Sequence, residues 1–192
     1  MNLFYPSYAY INSFLPIIII SFFLLDSFIF KNLKGIVFLV GLVFAIMTSI
    51  IINNTIKIDN YENSNKLCNP FTIYDISKNF HLPVNPIILL YTFIYLVSIM
   101  VNNGFVLNNI AYIFIMGAII IKDSLWLAEN KCFTSNQIVV SSLIGIFVSL
   151  LWSYIIHKSN NKSILYTVGV NSNDTCEIPK NKTYKCKYKP NK

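Results

Sequence analysis

No arginine occurs anywhere in these 192 residues; all fifteen basic side chains are lysine. The chain therefore has no planar guanidinium fork with which to grip phosphate through two parallel hydrogen bonds. Charge of either sign is sparse, at 12% of the chain, and histidine occurs only at His81 and His157. Two isolated imidazoles, with two cysteines in the longer joints and two in the tail, offer no convincing four-ligand set for structural zinc on either side. No metal and no other cofactor is expected.

The net charge of +7 is unevenly placed. Residues 1–157 carry seven lysines against six acids, whereas residues 158–192 carry eight lysines against two. The basic character belongs to a tail on a nearly neutral body. It comes without an amphipathic basic helix or an RNA-binding signature, so a nucleic-acid partner is not expected. The chain divides accordingly into a body, 1–157, and a basic, largely polar C-terminal tail, 158–192.

What is abundant is apolar: 55% of residues are hydrophobic and 15% aromatic. Five apolar stretches, at about 11–30, 35–52, 84–101, 105–121 and 137–156, each approach the roughly 20 residues that cross a bilayer's hydrocarbon core. The second and fifth contain no charged side chain. The expected fold class is all-α, a multi-pass membrane bundle of about five transmembrane helices. The first stretch lacks a basic start and a small-residue cleavage site, which argues against a signal peptide. It contains Asp26, which lies close enough to Lys31 to be expected at the interface. The fourth stretch is the weakest, with Asn108 and Asn109 near its start and Lys122-Asp123 after it.

The joints differ in length. "KNLKG" and "VNNGFVLNN" read as tight hairpins, 53–81 as a long connection, and 122–137 as an intermediate one. Five crossings put the N-terminus and the two longer joints on one side, and the short joints and tail on the other. The two sides carry five and ten lysines, and positive-inside bias then places the tail in the cytoplasm. Cys68 and Cys132 lie in the longer joints, where an oxidising compartment would allow a bridge. Two unrelated small apolar residues explain them equally well. Sequons at Asn53, Asn161, Asn173 and Asn181 are close to the roughly three that composition yields by chance, and carry no topology.

The turn "KCFTSNQIVVSSLIG" (131–145) enters an uncharged helix. Within that helix Ser141, Gly145, Ser149 and Ser153 recur every four residues, a row of small side chains suited to close helix packing. Ile144 is expected to lie off that face. Such a row also permits a helix-mediated oligomer.

Together the two longer joints resemble the type 2 phosphatidic acid phosphatase family, over about residues 66–156. "FTSNQIVVSSLIG" is similar to that family's His-Thr-x-x-Gln-Val motif, with Thr134 and Gln137 matching and Phe133 in place of the nucleophilic histidine. "PVNPIILLYTFIYL" stands where a Pro-Ser-Gly-His motif would, with Pro83 matching and Val84, Asn85 and Pro86 not. "CNP" at 68–70 keeps only the proline of a terminal Arg-Pro. The resemblance implies a phosphatase-like core that has lost its chemistry. Phosphoryl transfer of that kind needs a nucleophilic imidazole, an acid for the leaving oxygen and cations on the phosphoryl group. Phe133 cannot attack phosphorus, and His81 precedes Pro83 instead of ending the motif. The tail stretch "CEIPKNKTYKCKYK" (176–189) is similar, through Cys176, Pro179, Lys180, Tyr184, Lys185 and Cys186, to tails of membrane proteins of large nucleocytoplasmic DNA viruses. That likeness implies a viral internal membrane or a host endomembrane.

The function expected is thus non-catalytic, with no catalytic residues. The partners expected are membrane lipids, and an acidic protein or anionic lipid for the tail. The alternatives are a lipid phosphatase or diphosphatase with an unorthodox site, and a small channel or transporter drawing on Asp26 and the Asn108-Asn109 pair.

Overall fold

The computed structural model describes the backbone of residues 4–31, 33–56, 68 and 82–159, with side chains from residue 14 onward except Ile56. The expected tail, 158–192, His81 and the Asn69-Pro70 pair lie outside the described residues, apart from Lys158 and Ser159.

Among the described residues there are five α-helices: α1 (Phe4–Ile29), α2 (Lys34–Ile56), α3 (Val84–Asn103), α4 (Ile110–Glu129) and α5 (Ser135–Lys158). A 3-10 turn, Leu107–Asn109, leads into α4. No strand occurs among the described residues. Four helices, α2 to α5, are long and apolar enough to cross a membrane, and the part of α1 with described side chains, Phe14–Ile29, is a shorter apolar helix. At 1.5 Å per residue the 24-residue α5 is about 36 Å long, enough for a hydrocarbon core.

Direction follows from the contacts. Gly145 of α5 lies against Ile87 of α3, and the Ser149 hydroxyl donates to the Tyr91 carbonyl at 2.9 Å. Both partners advance by four residues, so α3 and α5 run parallel. Phe23 stacks on Phe38 at 3.8 Å while the Ile36 amide donates to the Ser27 hydroxyl, so α1 and α2 run antiparallel. The α3–α5 pair forms the most extensive helix contact, with α2 packed against both and α4 mainly against α3.

The core is narrow and aromatic. Phe23, Phe38, Tyr91 and Tyr95 stack through its centre, with Leu42, Ala45, Ile87 and Ile99 around them. The outward faces stay apolar: Phe22, Phe28, Met47, Phe114, Leu143 and Phe147 are all exposed. A monomeric soluble protein rarely leaves so continuous an apolar surface, whereas lipid tails match it. The arrangement fits an integral membrane protein.

Three expectations are corrected. Helix α4 does not end before Lys122-Asp123 but runs two further turns to Glu129, because Ile120, Asp123 and Leu127 continue its buried face. The joint after it shrinks to 130–134. Asp26, expected at the interface, faces inward among the helices and is only 7% exposed. Ile144, expected off the packing face, is buried as the small-residue row is, because α5 packs against α2 and α4 as well as α3. The Asn53 sequon lies inside α2 with its side chain buried, which leaves no room for a glycan there.

Candidate functional site

The two longer joints meet. Cys68 and Cys132 form a disulfide with their Cα atoms 5.4 Å apart. Around it Leu127, Cys132 and Ile138 are buried together, with Trp126 and Phe133 packed against them. This bridged end of the bundle is where the phosphatase-like residues were expected to converge.

Each of those residues has a local structural job. Thr134 is the N-cap of α5: its hydroxyl accepts from the Gln137 amide at 3.4 Å. In return the Thr134 amide donates to Gln137 Oε1 at 2.8 Å. That reciprocal pair is a capping box, which satisfies two backbone donors that a helix start leaves open. Pro83 occupies the N-cap of α3 in extended backbone, and Pro86 lies in its first turn, where a missing N–H costs nothing. Phe133, at the position of the nucleophile, packs against the disulfide cluster. His157 lies exposed in the last turn of α5, at the opposite end of that helix. No group of three metal-binding side chains occurs among the described residues.

The polar groups that do reach the interior tie helices together. The Tyr91 hydroxyl donates to the Phe38 carbonyl at 3.1 Å, linking α3 to α2. Ser149 links α5 to α3, and Trp152 Nε1 donates to the Val37 carbonyl at 3.1 Å, linking α5 to α2. The three bonds close a triangle around the aromatic core. Lipid supplies little force to drive helices together, so close packing and bonds of this kind hold a membrane bundle. Gly145 makes the closest approach possible: a Cβ there would stand 2.8 Å from the Ile87 carbonyl oxygen. Ser141, Ser149 and Ser153 are buried on the same face, so the row read from sequence is the α3 contact.

Sequence reasoning missed Asp123. It is 1% exposed, on the interior face of α4, one turn from Leu127 and the bridged end. A signal existed in the spacing of Ile120, Asp123 and Leu127 along one helix face. The adjacent Lys122 disguised it as the start of a polar loop. Buried carboxylates are costly within a membrane and are a usual mark of transport or proton pathways. Asp26 and Asp123 are the two that this bundle holds among the described residues.

Comparison of the chain with protein-family models, with curated proteins and with solved structures finds no match.

Proposed function

We propose that this chain is a non-catalytic, five-crossing membrane protein. In this reading a disulfide closes its exoplasmic or lumenal end, and its basic tail meets anionic lipid or an acidic partner on the cytoplasmic side. The carrying observation is Phe133. Where a phosphatase-like site would need an accessible imidazole, a phenyl ring packs on the Cys68–Cys132 bridge. The capping box and the N-cap proline account for the other matching residues as helix starts. A degenerate phosphatase-like architecture in a viral or organellar membrane is the finer form of this proposal, resting on the motif likenesses alone.

The test is direct. Purified protein in detergent should release no phosphate from phosphatidic acid or from isoprenyl diphosphates above a heat-denatured control. Turnover that survives His81→Ala and His157→Ala would overturn both the non-catalytic reading and the link to histidine-dependent phosphatases.

A second reading is favoured by one observation, the burial of Asp26 and Asp123 in apolar helices of the bundle. It makes the bundle a conduit for protons or small cations. Liposomes holding the protein should then pass protons or sodium faster than protein-free ones, and Asp123→Asn should abolish the difference. Equal fluxes with and without protein would remove this reading.

A further inference from the structure

The end of the bundle opposite the disulfide brings together charges that are far apart in sequence. Lys31 and Lys34 belong to the α1–α2 hairpin, and His157 and Lys158 to the last turn of α5. The bond from Trp152 to Val37 fixes α2 beside α5. Lys34 lies one turn from Val37, and Lys158 under two turns beyond Trp152, in the same direction along the bundle. The hairpin is held tight against this end: a Cβ on Gly35 would collide with the Phe23 carbonyl oxygen, and Ile36 bonds Ser27. Lys31, His157 and Lys158 are exposed, and Lys34 is partly so. The described acids at this end reduce to Asp26, which faces inward. Among the described residues the exposed charge here is of one sign.

The same end also exposes apolar side chains, Phe28, Phe30, Leu33 and Tyr154. Lys158 Nζ lies 5.9 Å from the Tyr154 ring. Cations standing among exposed aromatic and aliphatic groups match the headgroup level of a bilayer, where acyl chains give way to phosphate. A soluble acidic protein would complement the lysines but not the apolar side chains among them. Lys31 also adopts φ 49°, in the left-handed region that glycine or asparagine usually fills at a helix end. A lysine there gives up backbone comfort and keeps a charge.

We propose that Lys31, Lys34 and Lys158 form a headgroup site for anionic phospholipid, built by the folded bundle and independent of the tail. This deepens the proposed function and rests on its placing of α2 and α5 across a bilayer. Each lysine at such a surface favours anionic over zwitterionic lipid by about fivefold, and added salt should weaken the preference.

The chain has two tryptophans, and Trp126→Phe leaves Trp152, beside this end, as the reporter. Full-length protein in that background is reconstituted with brominated phosphatidylserine or brominated phosphatidylcholine, and quenching gives the relative affinity. A preference for phosphatidylserine that falls about fivefold with each of Lys31→Gly and Lys158→Gln supports the site. Lys31→Gly removes the left-handed strain, so melting at or above the parent temperature separates lost binding from lost fold. Lys131→Gly, at φ 51° at the bridged end, has the same backbone effect and should leave the preference intact. An unchanged preference in the Lys31→Gly/Lys158→Gln double variant overturns the proposal. So does its loss on replacing only Lys162, Lys180, Lys182, Lys185, Lys187, Lys189 and Lys192 by glutamine, which would assign the contact to the tail and leave the proposed function standing. No quenching by either lipid would overturn the membrane reading itself.

Discussion

At Gly145 one added carbon decides whether α3 and α5 can pack. The group it would strike is the backbone carbonyl of Ile87, which cannot turn aside as a flexible side chain would. Gly145→Leu should therefore destabilise the bundle by about 1–3 kcal/mol, the usual range for overpacking, or prevent folding. Leu143→Val, on the lipid-facing side, should be nearly silent. Thermal melting in detergent checks the pair, and equal midpoints would mean that the α3–α5 contact is looser than Gly145 implies. Ile144→Leu is a poor control because Ile144 is buried, and a cost of up to about 1.5 kcal/mol is ordinary for such a swap. Ser149→Ala should cost less, about 0.6 kcal/mol, the average worth of an interhelical bond in a membrane protein. The small-residue row was legible because period-four spacing is a property of the chain itself. Its partner was not, since nothing in α5 names Ile87 or Tyr91.

Among the helices, α5 begins with the clearest local instruction. Thr134 and Gln137 stand three apart, immediately before an apolar run, and each satisfies a backbone donor of the other's region. Thr134→Ala should lower stability by about 1 kcal/mol. Gln137→Ala should cost a similar amount, and the double variant less than the two together, because both remove one shared device. Strict additivity in urea melts would show that the two side chains act separately. All five helices were visible from apolar runs and their approximate lengths. The end of α4 was not. A Lys-Asp pair resembles a break when burial is unknown, yet Lys122 points outward and Asp123 inward on one continuous helix. Asp26 misled in the same way, since nearness to Lys31 along the chain says nothing about which way a side chain faces. Pro83, Thr134 and Gln137, which carry much of the likeness to phosphatase motifs, also serve as helix starts. Local sequence records such needs well and records a convergent site poorly.

For the whole molecule the disulfide and the lysines carry independent information about orientation. In the proposed topology lysine bias sets the tail side in the cytoplasm, and a bridge between Cys68 and Cys132 would set the other side in an oxidising compartment. The two expectations are consistent. Closing a connection with a sequence separation of 64 also restricts the unfolded chain, worth about 4 kcal/mol in the chain-entropy account, so reduction should lower the melting temperature markedly. The most direct measurement of the central claim uses an impermeant maleimide on cells whose plasma membrane alone has been opened. Cys176 and Cys186 should label at once, whereas Cys68 and Cys132 should label only after full solubilisation and reduction. Labelling of Cys68 or Cys132 without reductant, or protection of the tail cysteines until full solubilisation, would contradict the bridged, tail-inward bundle described above.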